Sequence, residues 1–326
     1  RGHGTVQATR RRGGGGRMSA EAATIEVRRV ALLVNPAAGR HRPGRIVRLA
    51  EDLRARGLEV ETVMSAGPGD LARRLPDIRA DVAAVAGGDG TIDEVVGALV
   101  GLDGPRPALA VLPDGTANVL AEEYRLPRRT EAVAAAIAAG RTRPLHLGAA
   151  LFGEGTARPF FLMTSAGFDA EVVHEVEARR GRRFKKLAFV GAALGRAFAP
   201  RSAVMVEATT TAGERISVRA AVAVVTKARH YGGPFVLTRR ISADVAGLRL
   251  VAVVEGHPAA LARAALDLAT GRLDGAAGVL SQDVARVHLA AANGTPVAVQ
   301  IDGEPCGHTP VEIRAEAAVL DLVVPA

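Results

Sequence analysis

The chain has 326 residues, of which 48% are hydrophobic and 23% are charged, and its net charge is +8. This length allows two domains with a core each, and this balance is typical of a globular protein. No apolar stretch reaches the ~20 uncharged residues that span a bilayer, so we expect any membrane contact to be peripheral. The single cysteine, Cys306, excludes an internal disulfide framework and indicates a reducing cytoplasm.

The positive charge is concentrated at the N-terminus. Five of the eight excess charges are arginines within residues 1–17, a Gly-rich stretch without acidic residues. We predict a disordered tail over residues 1–24, and the absence of an apolar segment excludes a signal peptide. Met18 leaves open whether translation starts there. With 3% aromatic residues and no Trp, the chain offers few stacking platforms, and we expect no nucleic-acid partner.

Residues 25–144 alternate between short apolar runs and segments of helical periodicity. Strands are predicted at 28–35, 58–64, 82–86 and 108–112, each followed by a helix, and the last helix, 131–139, is capped by Gly140. This order predicts an α/β domain with a parallel sheet and right-handed crossovers. Ligands of such sheets bind at the carboxyl ends of the strands.

The loop after the third of these strands reads Gly87-Gly88-Asp89-Gly90-Thr91. The glycines leave backbone N–H groups open at the positive end of a helix, where phosphate oxygens bind well. Asp89 would repel phosphate unless a divalent cation lies between them, which favours a Mg²⁺-nucleotide. Thr91 and Glu94 form a predicted capping box. The alternative is a tight turn in which Asp89 only caps a helix.

Three further loops follow strand ends in this domain. They contain Asn35, Ser65 and the segment 113–118, in which Gly115, Thr116 and Asn118 alternate small and polar character. Because carboxyl ends of parallel strands share one edge, the four loops should converge on one rim. Convergence of this kind favours a nucleotide site over ordinary turns.

From residue 145 to residue 326 the pattern is strand-rich, with helical pieces only near 168–178, 184–198 and 258–269. We predict a β-rich, antiparallel sandwich-like second domain. Residues 179–186 hold six cations in eight positions and lead into apolar residues at helical spacing up to Phe198. Such a segment suits a membrane surface. The alternative is a solvated basic loop followed by a core helix.

Near the C-terminus, alternating apolar residues approach Asp302-Gly303, a strong hairpin signal. One interpretation is a β-turn with an exposed Glu304. The other is that this turn directs Glu304 into the cleft between the domains as a general base. Spacing alone favours the first interpretation.

These motifs together resemble the bacterial diacylglycerol kinase catalytic-domain lipid kinases, relatives of the sphingosine and ceramide kinases. The resemblance covers about residues 28–326 and rests on 34–39, 87–91 with Asp93-Glu94, 113–118, 167–170 and 301–305. It implies an ATP-binding domain, a lipid-binding domain and an active site between them, with Glu304 as the proton acceptor and Asp89 at the metal and phosphates. By the same resemblance, the glycine loop, Thr116 and a hydroxyl near Ser65 contact ATP. The full set of predicted nucleotide-binding residues is Asn35, Ser65, Gly87, Gly88, Asp89, Gly90, Thr91, Glu94, Gly115, Thr116 and Asn118.

The sequence departs from this family at two positions of an accessory metal site. Family members often carry Asp where this chain has His146, and Asp-Gly-Leu where it has Ala246-Gly247-Leu248. Asp244 lies nearby as a substitute. The resulting hypothesis is an ATP- and Mg²⁺-dependent lipid kinase of the cytoplasm, acting on a lipid at the inner membrane surface. The alternatives are an NAD kinase and a non-catalytic nucleotide- or lipid-binding regulator.

Overall fold

The computed structural model describes residues 22–37, 42–155, 157–178, 203–233, 235–254 and 256–326. Most of the predicted tail and the whole basic-apolar segment 179–198, with its predicted helix, lie outside these residues. Within them, no helix is long and apolar enough to cross a membrane.

The described helices and strands alternate first and then give way to a run of strands. The helices are α1 (Pro43–Arg54), α2 (Asp70–Arg74), α3 (Asp89–Val100), α4 (Val119–Tyr124), α5 (Thr130–Ala139), α6 (Phe168–Ala178) and α7 (Pro258–Ala269), with a 3₁₀ turn at Leu75–Asp77. The strands are β1 (Ala23–Thr24), β2 (Arg29–Val34), β3 (Glu59–Met64), β4 (Val82–Gly87), β5 (Ala108–Pro113), β6 (Arg141–Leu151), β7 (Arg158–Phe160), β8 (Met163–Gly167), β9 (Val204–Thr210), β10 (Arg215–Ala220), β11 (Val222–Thr226), β12 (His230–Tyr231), β13 (Phe235–Val236), β14 (Leu248–Val253), β15 (Val279–Ala291), β16 (Ala298–Ile301), β17 (Glu304–His308) and β18 (Val311–Val323).

The first half contains a parallel sheet in the order β3-β2-β4-β5. Every residue of β4 is buried, as expected for a strand covered on both faces. The apolar residues of α1 and α5 pack on one face of this sheet, and those of α3 pack on the other. In this arrangement the carboxyl ends of β2, β3, β4 and β5 lie along one edge, as predicted.

The second half is antiparallel. Strand β8 lies between β11 and β16, and β11 continues through β14 and β15 to β9 and β10. A separate cluster of buried side chains from these strands forms its core. The predicted fold class, a parallel α/β part followed by a β-rich antiparallel part, is confirmed.

Strand β18 joins the two halves. Its first part pairs with β15, most of its length pairs with β6, and Leu322 pairs in parallel with Leu109 of β5. The sequence pattern predicts two strands here, 311–314 and 319–324. The structure instead has one strand with an irregular register between Ala315 and Val319. The end of the chain thus returns to the first sheet and holds the halves together.

Candidate active site between the two halves

The two glycine loops touch each other backbone to backbone. A Cβ placed on Gly88 would lie 2.9 Å from the Cα of Gly115, and one placed on Gly115 would lie 2.4 Å from the Cα of Gly88. Real Cβ atoms do not approach other atoms this closely, so both positions require glycine. The loops after β4 and β5 therefore form one continuous backbone surface at the start of α3.

The predicted capping box at Thr91 and Glu94 was wrong. Helix α3 begins at Asp89 with Gly88 as its N-cap, so Thr91 lies within the first turn. The Thr91 hydroxyl accepts a hydrogen bond from Asn35 Nδ2 at 3.1 Å, and Glu94 accepts one from the backbone N–H of Ala72 at 3.1 Å. Because the helix starts at Asp89, the side chains of Thr91 and Glu94 do not cap it and instead bind neighbouring segments of the chain.

Asn118 shapes the second glycine loop. Its backbone has a left-handed φ of 50°, its Oδ1 accepts from the Gly115 N–H at 2.8 Å, and its Nδ2 donates to the Gly115 carbonyl at 2.9 Å. Thr116 lies exposed between these two residues. Asn118 thus has a structural role in the loop, and Thr116 presents its side chain to the solvent side of the rim.

Asp89 is turned toward the N-terminus of α4. Its carboxylate accepts from the backbone N–H groups of Val119 at 3.2 Å and Leu120 at 3.5 Å. Burial raises the pKa of Asp89, and these N–H groups oppose that rise. Asp89 therefore does cap a helix, namely α4, as the alternative interpretation of the sequence expected. A carboxylate oxygen has two lone pairs, so the cap does not exhaust its capacity to bind a cation.

Ser65 lies at the outer side of the same edge, after β3. It is buried, and its hydroxyl donates to the Gly67 carbonyl at 2.8 Å within its own loop. Its backbone N–H donates to the carbonyl of Val34 at 2.8 Å, which places the Ser65 loop beside the Asn35 loop. The predicted rim residues thus form a chain of neighbouring loops from β3 to β5.

Glu304 reaches this rim from the far end of the sequence. It begins β17, directly after a two-residue turn in which Asp302 and Gly303 have φ values of 48° and 88°. The predicted hairpin is therefore present, with the two positive φ values that a tight turn of this kind requires. A Cβ placed on Gly90 would lie 3.0 Å from Glu304 Oε1. The Glu304 carboxylate thus lies against the first turn of α3, where glycine leaves room for it.

The buried carboxylate of Asp302 anchors this hairpin. It accepts three backbone N–H groups, from Phe161 and Leu162 at 2.9 Å each and from Met163 at 2.7 Å. Burial raises the pKa of Asp302 well above its ordinary value, and the nearby charge of Asp93 raises it further. The sequence marked Asp302 only as a turn residue, because its three partners are about 140 positions away.

A second carboxylate, Asp93, lies one turn further along α3. It accepts from Arg158 Nη2 at 3.0 Å, and Arg158 Nη1 donates to Cys306 Sγ at 3.2 Å. Burial raises the pKa of Asp93, the Arg158 guanidinium lowers it, and the charge of Glu304 raises it. The charges of Glu304 and of Arg158 on β7 therefore both lie close enough to act on Asp93 in the cleft.

These residues fit a magnesium ion that is bound mainly by phosphates. In the described part of the chain, no group of three or more His, Cys, Asp or Glu side chains could hold a metal by itself. Nucleotide-bound Mg²⁺ usually takes one or two carboxylates and fills its other positions with phosphate oxygens and water. Asp89, Asp93 and Glu304 border the glycine loops and could supply those carboxylates.

The accessory metal site of the resembling family does not fit this chain. Lys227 is fully buried, and its Nζ donates to the carbonyls of Val245 at 3.0 Å and Gly247 at 2.6 Å. Burial lowers the Lys227 pKa to about 8, and burial together with the positive charge of Lys227 lowers the pKa of His146. Asp244, the proposed substitute ligand, is instead paired with Arg143. The Lys227 ammonium thus binds the carbonyls of the loop in which the family's accessory metal would lie.

Two family domains match the chain. Residues 29–150 match the diacylglycerol kinase catalytic domain, and residues 163–324 match the YegS C-terminal NAD kinase beta sandwich-like domain. The two matches meet at the cleft described above, since Gly87–Asn118 belong to the first and Glu304 belongs to the second.

Curated relatives include a diacylglycerol kinase of Bacillus subtilis, 28% identical over 50% of this chain and 54% of the relative. A probable lipid kinase YegS-like of Cronobacter sakazakii is 35% identical over 39% of this chain and 42% of the relative. A diacylglycerol kinase of Mycobacterium tuberculosis is 31% identical over 45% and 48%, respectively. The chain spans about half the length of the curated relatives it matches.

Solved structures share the fold over nearly the whole chain. A crystal structure from Bacillus anthracis superposes with a TM-score of 0.74 at 20% identity, covering 92% of this chain and 98% of the other. A second structure, of a diacylglycerol kinase from the same organism, gives a TM-score of 0.68 at 18% identity over the same shares. At these identities the likeness concerns the fold.

Proposed function

Because the chain belongs to the lipid kinases built on a diacylglycerol kinase catalytic domain, we propose that it transfers the γ-phosphate of ATP to a hydroxyl group of a lipid. The observation that carries this proposal is the position of Glu304. Its carboxylate lies against Gly90 in the first turn of α3, beside the glycine loops. A phosphate binder without a base at this point could hold a nucleotide but would lack a group to orient an acceptor hydroxyl.

The glycine loops are the proposed phosphate cradle. Gly87, Gly88 and Gly90 lie at the end of β4 and the start of α3, where backbone N–H groups and the helix dipole favour phosphate. Thr116 and Asn35 border this surface. Mg²⁺ bound to the phosphates would neutralise their charge, with Asp89 and Asp93 as the carboxylates available to hold it.

Glu304 is the proposed proton acceptor. Its oxygen faces the start of α3, so a hydroxyl placed between Glu304 and the terminal phosphate would be oriented for in-line attack. Asp302 keeps this geometry through three backbone hydrogen bonds and therefore acts as a positioning residue. Positioning and charge neutralisation, with little covalent chemistry by the protein, are what phosphoryl transfer demands.

The acceptor class separates the proposal from its alternatives. Diacylglycerol, a sphingoid base and ceramide all present a hydroxyl on an apolar body, and any of them would satisfy Glu304. An NAD kinase would use the same loops on a soluble dinucleotide. A non-catalytic regulator would bind nucleotide or lipid and transfer nothing.

We also propose peripheral contact of the protein with a membrane surface through residues 179–198.

The experiment supplies γ-labelled ATP, Mg²⁺, a panel of lipid alcohols in mixed micelles, and NAD. We expect label in a lipid and none in NAD. Label in NAD alone, or ATP binding without any labelled product, would refute the proposal. Removal of Mg²⁺ by a chelator should abolish the transfer, since the uncompensated phosphates would repel the carboxylates of the site.

A Glu304→Gln variant tests the base. We expect kcat to fall by about 10²–10⁴-fold with little change in the KM for ATP, the range for loss of a general base. Glu312→Gln is the matched control, because Glu312 on β18 pairs with Arg286 away from the glycine loops. A Glu304→Gln protein with the activity of the control would remove Glu304 from the mechanism.

A further inference from the structure

A basic cavity of about 510 Å³ lies where the N-termini of α1 and α5 meet. Five arginines line it: Arg42, Arg45, Arg48, Arg128 and Arg129. One carboxylate, that of Glu131, belongs to the same lining. All of these arginines except Arg45 are exposed, so their guanidinium groups are accessible to an anion that enters the cavity.

This cavity is separate from the cleft that holds Glu304. Helices α1 and α5 pack together on one face of the parallel sheet, through residues such as Leu49 and Val133. Helix α3, whose first turn carries Gly90 and faces Glu304, packs on the other face. Among the described residues, the cavity and the glycine loops are linked through Arg45, which pairs with Asp114 next to Gly115.

Internal partners balance only part of the positive charge. Arg45 pairs with Asp114 and also donates to the Arg128 carbonyl at 2.7 Å, and Arg128 pairs with Glu122. Arg129 lies 3.6 Å from Glu131. Within the described residues, neither Arg42 nor Arg48 forms an ion pair, although the charge of Arg48 helps to lower the Glu131 pKa. Two guanidinium groups thus remain for a ligand.

The backbone adds to this positive character. Neither α1 nor α5 has a side chain that caps its N-terminus, so the first N–H groups of two helices of 12 and 10 residues remain uncapped. Gly44 lies in the first turn of α1, and a Cβ placed on it would meet no atom within 4 Å. Packing therefore does not require glycine there, whereas an approaching anion would benefit from the open backbone.

We propose that this cavity binds a phosphate-bearing anion at a second site, distinct from that of the nucleotide. Guanidinium groups bind phosphate in paired, charge-assisted hydrogen bonds, and two helix N-termini add favourable dipoles. Arg42 and Arg48 are the residues that contact the anion, with Gly44 supplying backbone N–H. The site is independent of the proposed kinase reaction, so either can fail without the other.

Calorimetric titration with inorganic pyrophosphate tests the site. The full chain is first saturated with Mg²⁺ and a non-hydrolysable ATP analogue, so that phosphate cannot bind at the glycine loops. We expect pyrophosphate to bind under these conditions, and an Arg42→Gln/Arg48→Gln variant to bind it at least about tenfold more weakly, since two charge-assisted contacts are lost. The matched control, Arg215→Gln/Arg314→Gln, removes the same charge from exposed positions of β10 and β18.

A second arm distinguishes a lipid headgroup from a free phosphate compound. Vesicles of phosphatidylcholine with and without phosphatidylglycerol are sedimented with the same variants. The site would be assigned to a lipid headgroup if the protein bound only vesicles that contain phosphatidylglycerol, lost this binding in the Arg42→Gln/Arg48→Gln variant, and did not bind pyrophosphate. Equal losses in both double variants, displacement of pyrophosphate by the ATP analogue, or binding to neither probe would overturn the proposal.

Discussion

Replacing Lys227 by methionine should change how the stability of the protein depends on pH. Lys227 is fully buried, and its ammonium donates to two carbonyls in the 242–247 loop. Only 3 of the 42 basic residues of the chain are lysines. A compact ammonium fits between two carbonyls, whereas the larger guanidinium of arginine does not lose its charge and is harder to bury.

The magnitude follows from the Lys227 pKa. Burial lowers this pKa from 10.5 to about 8. One pKa unit corresponds to about 1.4 kcal/mol, so the full difference of about 2.5 units amounts to about 3 kcal/mol. Between pH 8 and 10.5 the unfolded chain binds more protons than the folded one, so the free energy of unfolding rises with pH in this window. Below pH 8 both states are charged and this dependence vanishes.

The assay is urea unfolding at pH 7.5 and pH 9.5 for the wild type and Lys227→Met. Both proteins share every other titrating group, so the difference between their unfolding free energies isolates Lys227. We expect that difference to shift by about 2 kcal/mol in favour of the wild type on going to pH 9.5. Arg215→Met, at an exposed position, should follow the wild type. A difference that does not vary with pH would refute the reasoning, because it would mean that the two carbonyls fully compensate the buried charge.

Asp302→Asn should lower kcat about tenfold or more and leave ATP binding intact, because it weakens the three hydrogen bonds that position Glu304; a change confined to the KM for ATP would contradict this role. Gly115→Ala should destabilise the protein by about 1–3 kcal/mol in urea unfolding and weaken ATP binding, because its Cβ would collide with the Gly88 backbone; Gly97→Ala, with open space around it and no positive φ, is the control for the clash. Neutralising the six cations of residues 179–186 should reduce sedimentation with anionic vesicles and leave phosphorylation of a short, soluble lipid analogue unchanged; unaltered sedimentation would exclude this segment as the membrane contact.

Much of the fold could be predicted from local pattern. The four short apolar runs of the first half, with their intervening helices, specified a parallel sheet because buried strands and amphipathic helices have different periodicities. The predicted helices 131–139, 168–178 and 258–269 match α5, α6 and α7 within one residue. The hairpin at Asp302-Gly303 also followed from local chemistry, since both residues adopt positive φ. The boundaries predicted for the two domains, at residues 144 and 145, stay predictions.

In the candidate site, too, the sequence predicted the features that depend on neighbouring residues and missed those that depend on distant ones. The sequence identified the glycine loops because a phosphate cradle needs consecutive residues of one backbone. It misassigned Thr91 and Glu94 to a capping box, since the same spacing occurs in a helix that starts at Asp89. It did not identify Asp302 as an anchor, or Lys227 as the cation of the 242–247 loop, because their partners are main-chain atoms of distant or unmarked residues.

The sequence by itself determined the order of the strands and helices of the parallel sheet, the phosphate-type loops and the chemical identity of a candidate base. Only the tertiary structure decided that Glu304 lies against Gly90, more than two hundred residues away, and that β18 returns to the first sheet to hold this arrangement. Periodicity and turn chemistry report on neighbouring residues. A cleft arises where surfaces from distant parts of the chain pack together, and that packing depends on shapes which no local spacing specifies.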